Sequence, residues 1–375
     1  YTIDAEQAGF YGRLDNLNNV FKEAPKGSVL NSRILWAFSS AYNLTRESKY
    51  LQISARAFRY ITDLFIDKIN GGVYWTVDYK GDPLDTKKQI YALSFAIYGL
   101  SEYYLASKNQ QAKEVAIELY HLIVKHSYDA INGGYIEALT FDWKEIEDLR
   151  LSNKDANEKK SMNTHLHVLE GFTNLYRIWT DEVLRDKIKE LIYIFSDHII
   201  DNSTRHLILF FDEKWTVKSR IISYGHDIEA AWLIQESTEI IDDKDLLKKV
   251  KVKSVQLANA AAEGLDKDGG LWYEYDVNEG NLIKEKHWWP QSEAMIGFFN
   301  AWQITGDEVY LKKSLHSWEF VQQRILDLNN GEWFWGVKEN YEVMNEDKVG
   351  LWKCPYHNSR ACIELIKRIN KTANS

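Results

Sequence analysis

The sequence predicts an all-α protein, a toroid of six helical hairpins called an (α/α)6 barrel, with short β-hairpins in the connecting loops. Three observations predict this fold. A glycine-aromatic motif recurs roughly every sixty to seventy residues. Two helical segments lie between successive motifs, and these segments alternate between apolar on all sides and amphipathic. An open solenoid is the alternative, although its repeats are usually shorter and six hairpins are the number that closes a ring.

Composition allows one large domain or two ordinary ones, and it narrows the classes of partner. The 375 residues are 45% hydrophobic, which is enough for a large core, and 14% aromatic. That many aromatic residues either fill a thick core or line a cleft of carbohydrate size. The formal net charge is −9 with no basic run, so a nucleic acid is not an expected partner. No stretch reaches the length of apolar sequence that a membrane span needs.

Cysteine usage and the N-terminus favour a cytoplasmic location. The two cysteines, Cys354 and Cys362, form neither a disulfide framework nor a CxxC metal motif. The first residues lack the basic and apolar regions of a signal peptide. We expect one catalytic domain over residues 1–375.

The recurring motif combines an Asn-Gly or Asp-Gly turn with alternating aromatic residues. Its copies begin at Gly9, Asn70, Asn132, Asp268 and Asn330, with a degenerate copy at Asp201. Asn-Gly and Asp-Gly supply the positive φ angles of tight turns. The alternating aromatics that follow are typical of a short hairpin strand.

Between the turns, one helical segment of each pair is apolar nearly all round, and the other has one apolar stripe. A helix of the first kind is buried and a helix of the second kind covers it. The predicted inner helices are 30–44, 89–106, 163–179, 225–240, 291–305 and 357–369. The predicted outer helices are 49–66, 110–126, 182–199, 244–264 and 307–326.

The count is one outer helix short, and in chain order its place is ahead of Tyr1. We therefore expect the native protein to open with a helix that this chain lacks. The other irregularity is the long charged segment 142–161, which is either a lid over a site or a solvated loop.

Candidate site residues lie at or near the starts of the inner helices, which begin at the same rim of the predicted barrel. They are Arg33, Tyr91, Asn163, His167, His226, Glu229, Trp289 and His357. Each alone has an ordinary structural interpretation, such as a histidine that caps or packs. Their convergence on one central cavity favours a functional site.

His226 illustrates the chemistry that such a position offers. It falls in the first turn of a predicted helix, where the positive dipole end disfavours an imidazolium. The ring is therefore expected to be a neutral proton acceptor near pH 7. Glu229, one turn on, is placed to orient that ring.

His165 and His167 cannot share a role. Residues two apart on a helix point in different directions, whereas Asn163 and His167, four apart, share a face. We expect His165 to be structural and His167 to face the cavity.

Several chemistries are disfavoured or left as alternatives. The sequence has no GxGxxG, P-loop or HExxH motif, so hydride transfer is disfavoured and we expect no cofactor and no metal. A metal held by His167, His226 and His357 stays conceivable.

Glycoside hydrolysis needs two carboxylates. Glu229 and Glu293 are candidates, but each lies one turn inside its helix, where an orienting or packing role is favoured.

Proton transfer at a carbon next to a carbonyl fits several histidines around an aromatic pocket better. A neutral histidine can remove such a proton and a second can return it. Return to the opposite face gives an epimer, and return to the neighbouring carbon gives an aldose–ketose isomerisation. Arg33 and His167 could stabilise the enediolate oxygens. Trp289 and Trp352 offer flat faces for sugar rings, or are core and rim aromatics.

Five segments together resemble the cellobiose 2-epimerases within the N-acylglucosamine 2-epimerase superfamily, over nearly the whole chain. They are NSRILW at 31–36, KSMNTHLHVLE at 160–170, SYGHDIE at 223–229, HWWPQSEA at 287–294 and WKCPYHN at 352–358. The resemblance implies an (α/α)6 barrel that works without metal or nucleotide. It implies reversible conversion of the reducing-end glucose of β-1,4 disaccharides to mannose, so that cellobiose gives glucosyl-mannose and lactose gives epilactose.

The resemblance also implies residue roles. His226 and His357 would be the general acid/base pair, and His167 and Arg33 would steady the enediolate. The residues that hold the reducing-end sugar and orient the histidines would be Tyr91, Asn163 and Glu229. Trp289 and Trp352 would stack on the substrate.

Two alternatives remain from the sequence. One is an aldose–ketose isomerase that uses the same histidines. The other is a carbohydrate-binding barrel without turnover, although three rim histidines are superfluous for stacking on a sugar. The expected partner is a disaccharide, with no nucleic acid and no membrane, and a monomer is favoured.

Overall fold

The computed structural model describes residues 2–373, in which six inner and five outer α-helices alternate. The inner helices are α1 (Ser28–Thr45), α3 (Ile90–Ser107), α5 (Met162–Tyr176), α7 (Tyr224–Ile240), α9 (Trp288–Thr305) and α11 (His357–Ala373). The outer helices are α2 (Ser48–Tyr60), α4 (Gln110–His126), α6 (Glu182–Ile194), α8 (Lys244–Ala261) and α10 (Glu308–Phe320). The predicted alternation is confirmed within the described residues.

The largest error in a predicted helix start is at α9, which begins at Trp288 and not at residue 291. The predicted start follows Pro290 directly, and proline is disfavoured in helix interiors. In the first helical turn, however, the N–H that proline lacks has no intrahelical partner, so proline is tolerated there. Trp289 is therefore inside the helix, in its first turn.

Three outer helices end in a π-helical turn before the next hairpin. These turns are Ile61–Phe65, Phe195–Ile199 and Val321–Ile325, and α8 ends instead in the 3-10 turn Ala262–Gly264. The sequence pattern runs through these turns, which explains why the predicted outer helices are longer than the α-helices observed.

Short antiparallel strands connect the helices. They are β1 (Lys26–Gly27), β2 (Thr76–Val77), β3 (Pro83–Asp85), β4 (Lys88–Gln89), β5 (Ala138–Leu139), β6 (Lys160–Ser161), β7 (Phe210–Phe211), β8 (Ile221–Ser223), β9 (Glu274–Asp276), β10 (Asn281–Ile283), β11 (Lys286–His287) and β12 (Gly336–Val337). The sheets are β1-β2-β3, β4-β5, β6-β7, β8-β9-β10 and β11-β12. Five inner helices start directly after a strand, so strand pairing fixes where each of these helices begins.

An aspartate organises each glycine turn. Oδ1 of Asp67 accepts hydrogen bonds from the N–H groups of Ile69 and Asn70, both at 3.0 Å. Gly71 and Gly72 then follow with φ of +77° and +78°, which glycine adopts without strain. The degenerate turn keeps the same device, because Oδ1 of Asp201 accepts from the N–H groups two and three residues on.

Buried lysines clamp these aspartates to the start of the next inner helix. Lys88 lies just before α3, is 0% exposed, and places Nζ 2.7 Å from Oδ2 of Asp67. The equivalent pairs are Lys26–Asp4 at 2.8 Å, Lys160–Asp129 at 2.9 Å and Lys286–Asp266 at 2.7 Å. Each lysine therefore ties a hairpin turn to the helix that follows it.

Contacts within the chain divide it into two compact units. Unit 1 contains residues 2–194, 210–219 and 347–356, and unit 2 contains 195–209, 220–346 and 357–373. In unit 1, α3 packs on α1 and α5, and in unit 2, α9 packs on α7 and α11. A single domain over 1–375 stays a prediction. Within residues 2–373, no helix has the length and apolarity to cross a membrane.

The charged segment 142–161 packs on the start of α3. Nε2 of Gln89 donates to the carbonyl oxygens of Leu149 and Arg150 at 3.2 and 2.9 Å. Leu149 is buried, with 5% of its surface exposed. The segment is therefore anchored in its middle, and a lid function stays a prediction.

Candidate active site

In unit 2, strand β8 leads directly into α7 and places His226 in the first turn of that helix, as the sequence predicts. Nδ1 of His226 lies 2.8 Å from Oγ of Ser223. The role expected for Glu229, to orient this ring, stays a prediction. Gly225 lets Trp289 approach, because a Cβ there would lie 2.6 Å from the indole. The imidazole and indole centroids of His226 and Trp289 are 4.6 Å apart.

His357 begins α11 and contacts the same indole. Its ring centroid is 5.8 Å from that of Trp289, and its Nδ1 lies 2.8 Å from Oε1 of Glu293. The other carboxylate oxygen of Glu293 accepts a hydrogen bond from Nε1 of Trp232 at 2.9 Å. Glu293 is thus held at both oxygens, and the orienting or packing role expected for it stays a prediction.

Glu229 lies beside this group. Its carboxylate accepts a hydrogen bond from Nη2 of Arg360, and the same nitrogen donates to Glu293 at 2.7 Å. Both carboxylates are buried, so neither is placed as an exposed acid that could reach a glycosidic bond. The structure therefore brings four of the candidate residues, His226, Glu229, Trp289 and His357, into one cluster.

A second cluster lies in unit 1 around Arg33. The guanidinium donates from Nη1 to the carbonyl oxygen of Trp352 and from Nη2 to the hydroxyl of Tyr91, both at 2.8 Å. It also lies 4.3 and 4.8 Å from the ring centroids of Phe95 and Tyr356. This packing fixes a permanent positive charge among aromatic faces.

His167 belongs to the same cluster and is 2% exposed. Its ring lies 4.9 Å from that of Tyr91. Its Nδ1 lies 2.8 Å from Oε2 of Glu170, and the hydroxyl of Tyr356 donates to Oε1 of that glutamate at 2.6 Å. The carboxylate thus fixes the orientation of His167, and Tyr356 fixes the carboxylate.

His165 is structural, as its position relative to His167 predicts. Its Nδ1 lies 2.6 Å from the carbonyl oxygen of Ser161, and its Nε2 accepts a hydrogen bond from the N–H of Tyr135 at 2.9 Å. Burial lowers the pKa of His165 to about 4, so the ring is neutral. Both ring nitrogens therefore form hydrogen bonds with backbone groups.

Asn163, one helical turn before His167 on α5, lines a small pocket together with Glu137 and Asp155. Oδ1 of Asn163 is buried and has no hydrogen-bond partner within residues 2–373. Burial raises the pKa of Glu137 to about 7, although Ser161 and Thr164 donate hydrogen bonds to it. The sequence did not single out Glu137, which no motif marks.

The N-acylglucosamine 2-epimerase (GlcNAc 2-epimerase) family model matches residues 9–361. The chain belongs to this family.

Relatives and solved structures in this family are similar along almost the whole chain. A cellobiose 2-epimerase of Bacteroides fragilis is 47% identical over 365 residues, covering 97% of this chain and 93% of that protein. One of Dictyoglomus turgidum is 41% identical, covering 92% and 88%. The structure of a cellobiose 2-epimerase from Bacillus thermoamylovorans matches with a TM-score of 0.94 at 39% identity, covering 98% of this chain and 94% of that one.

This similarity confirms two predictions. The fold class is that of the cellobiose 2-epimerases, the helical (α/α)6 barrel with short antiparallel strands. The chain is an isomerase of the carbohydrate epimerase type. The roles of individual residues stay predictions.

Sequence reasoning assigned no role to four residues of these two clusters: Ser223, Glu170, Tyr356 and Arg360. Glu170 and Arg360 each follow a predicted histidine by three residues, and Ser223 precedes one by three. That spacing places Glu170 and Arg360 on the helix face of their histidine, so a search around each histidine would have found these three residues. Tyr356 directly precedes His357 and carries no such signal.

Proposed function

We propose that the protein epimerises the reducing-end glucose of β-1,4-linked disaccharides at C2, converting cellobiose reversibly to glucosyl-mannose and lactose to epilactose. The similar cellobiose 2-epimerases support the substrate class. The observation that carries the mechanism is that His226 and His357 contact one indole, Trp289, and that each has its Nδ1 held by an oxygen.

Two oriented histidines supply what the reaction needs. After the sugar ring opens, one imidazole removes the proton from C2, next to the C1 aldehyde, and leaves an enediolate. The other imidazole delivers a proton to the opposite face of C2, which inverts that centre. With Nδ1 fixed, the proposal assigns proton transfer to Nε2 of each ring, because the nitrogen that exchanges is set by the partner of the other.

The remaining residues are assigned to charge and to binding. We propose that Arg33 and His167 stabilise the enediolate oxygens, since a fixed guanidinium and an oriented imidazole suit developing negative charge. Trp289 and Trp352 stack on sugar rings, and Tyr91 and Asn163 bind the reducing-end sugar. Glu229 acts through the buried charges around His357.

The test is a proton NMR time course of the protein with cellobiose in D₂O. Growth of glucosyl-mannose with deuterium at C2 is expected. Glucosyl-fructose as the sole product would assign an aldose–ketose isomerase. Release of free glucose would indicate a hydrolase, and no change with cellobiose or lactose would overturn the proposed substrate class. A cytoplasmic location and a monomeric state stay predictions.

A further inference from the structure

Four ionisable side chains are buried together at the helix contacts of unit 2. Glu229 on α7, Glu293 on α9, and His357 and Arg360 on α11 have exposed fractions of 1%, 0%, 6% and 0%. Oxygen atoms of the two carboxylates lie within 4.8 Å of each other. Their negative charges repel at this distance, and burial further disfavours the charged forms. Both stay ionised only beside a positive charge that is itself buried.

Arg360 supplies that charge. A single nitrogen, Nη2, donates to Oε1 of Glu229 and, at 2.7 Å, to Oε1 of Glu293. A guanidinium stays protonated at every working pH. Side-chain atoms of Glu229, Glu293 and His357 lie within 4.8 Å of one another, a spacing at which a cation can be held, and the guanidinium is the cation hydrogen-bonded there.

Glu293 connects this charge to His357. Its Oε1 is shared between Nη2 of Arg360 and Nδ1 of His357, while its Oε2 accepts from Trp232. Both ends of the carboxylate are therefore fixed. An ionised carboxylate at Nδ1 requires that nitrogen to be the donor, and this tautomer leaves Nε2 as the proton acceptor.

We propose that Arg360 is a positioning residue for the epimerisation, which holds Glu229 and Glu293 as a charged pair and, through Glu293, sets the tautomer and orientation of His357. The assignment rests on the proposed acid/base role of His357. It gives Arg360 no contact with substrate.

Other charged or titratable groups face this region from the neighbouring elements. His226 on α7 contacts the same indole as His357. Glu332 accepts a hydrogen bond from Asn358, the residue after His357. Arg368 lies two turns farther along α11. Arg360 differs from all of these because it donates directly to the carboxylate that holds His357.

Loss of the guanidinium has a definite electrostatic consequence. Two buried carboxylates without a cation take up a proton near neutral pH, either on one glutamate or on His357. A protonated Glu293 no longer holds the Nδ1–H donor, and a protonated His357 is no longer a base. In both cases turnover falls near neutral pH and recovers in part at higher pH, where the additional proton leaves.

The test compares Arg360→Gln with Arg360→Lys, and uses Arg368→Gln as the matched control. Arg368 is an arginine of the same helix, but Nη1 donates to the amide oxygens of Asn300 and Gln303 at 2.8 and 2.9 Å, not to a carboxylate. The kcat and KM for cellobiose are measured from about pH 6 to pH 10. We expect Arg360→Gln to lose kcat about 100-fold near pH 7, a loss on the scale of acid–base catalysis, with little change in KM.

The pH profile separates positioning from simple loss of stability. Arg360→Gln should have its optimum at higher pH than wild type. Arg360→Lys, which keeps the charge, should retain the wild-type optimum at a reduced kcat, and Arg368→Gln should retain both. A folded Arg360→Gln protein with the wild-type profile would overturn the proposal. If Arg360→Gln does not fold, a shifted optimum in Arg360→Lys would overturn it instead.

A second measurement does not depend on turnover. Nitrogen NMR of histidine-labelled protein should show His357 with its proton on Nδ1 in the wild type and in Arg368→Gln, and a changed signal in Arg360→Gln. An unchanged signal in Arg360→Gln would contradict the positioning role even if the enzyme epimerises cellobiose. Conversely, a changed signal in a protein that does not act on cellobiose would reject the proposed substrate and leave the positioning intact.

Discussion

Oγ of Ser223 lies 2.8 Å from Nδ1 of His226, three residues along the chain. Ser223 occupies the N-cap position of α7, where a serine hydroxyl usually accepts a hydrogen bond from the backbone of the first turn. Here the hydroxyl contacts the imidazole instead of capping the helix. The position that usually stabilises a helix start therefore serves to orient the ring.

Ser223→Ala is expected to lower kcat for cellobiose about tenfold, the lower part of the range for acid–base effects, because His226 loses its partner at Nδ1. Since the hydroxyl does not cap α7, the free energy of unfolding should change by less than about 1 kcal/mol. The control is Ser237→Ala on the same helix, whose hydroxyl donates to the carbonyl of Leu233 at 2.9 Å. Equal kcat values for the two variants would contradict an orienting role for Ser223.

His226→Asn and His357→Asn are each expected to reduce epimerisation by about 100- to 10,000-fold, the usual contribution of a general acid or base. Exchange of the C2 proton with D₂O, followed by NMR, checks whether proton removal is lost as well as epimer formation. His121→Asn on α4, an exposed histidine, is the control and should stay fully active. Full activity in either single variant would refute the acid/base pair.

Glu170→Gln tests the support of His167 in unit 1. The amide cannot accept hydrogen bonds at both positions, so either Nδ1 of His167 or the hydroxyl of Tyr356 loses its acceptor. We expect kcat/KM to fall at least about tenfold, because an oriented donor to an oxyanion contributes on that scale or above. Tyr356→Phe keeps the bond between Glu170 and His167 and should lose less. A larger loss in Tyr356→Phe would contradict this order.

Lys88→Met tests the clamps at the glycine turns. Burial opposes ionisation of Asp67, but the N–H of Asn70 and the ammonium of Lys88 outweigh it and lower the pKa of Asp67 to about 2. Removing one partner of a buried pair leaves a buried charge, so we expect a loss of about 3 kcal/mol in the free energy of unfolding.

Urea unfolding near pH 7 measures the effect of Lys88→Met. Lys248→Met is the control, because Lys248 and Asp245 form an exposed pair on α8, and such pairs contribute less than about 1 kcal/mol. Similar losses in the two variants would show that the clamp at Lys88 is no stronger than a surface pair.

Glu137→Gln is expected to change how stability depends on pH. The pKa of Glu137 is raised by burial to about 7 from an ordinary value of 4.5, so the folded protein binds this proton more tightly than the unfolded chain does. The stabilisation is present below about pH 4.5 and is lost as pH rises to about 7. In Glu137→Gln, the free energy of unfolding should fall less between about pH 4.5 and pH 7 than it does in the wild type, by up to about 3 kcal/mol. The exposed control Glu118→Gln should leave the curve unchanged.

Much of the fold was predictable because its signals are local and repeated. The glycine turns at Gly71 and Gly133 and the contrast between all-apolar and amphipathic helices fix the order of elements without long-range information. The start of α9 at Trp288 was not predictable from Pro290 alone, because proline is tolerated in a first turn and disfavoured later. β11 directly precedes α9 and pairs with β12. This pairing ends at His287, so it places the start of the helix at Trp288 and not after Pro290.

The candidate site was predictable in its histidines and less so in their partners. Helical spacing distinguished His165 from His167 correctly, since it depends only on direction from one helix. The partner of Nδ1 of His357 is Glu293, 64 residues away in the sequence. Arg360 donates hydrogen bonds to carboxylates on two other helices, α7 and α9. Such contacts depend on how helices pack, and a single sequence does not specify the packing. The hydrogen bond between Arg360 and Glu229 is of this kind, whereas the orientation of His226 by Glu229 stays a prediction.

The lysine clamps have a consequence for how the chain opens. Each clamp joins a turn to the following inner helix, so one repeat cannot detach without leaving an aspartate or a lysine buried and uncompensated. Fraying of a single repeat is thereby penalised, and backbone amides near Asp67 and Asp129 should exchange with solvent only when a large part of unit 1 unfolds. Repeat proteins often unfold one repeat at a time. Because of these ion pairs, unfolding several repeats together should cost less free energy per repeat than unfolding one repeat alone.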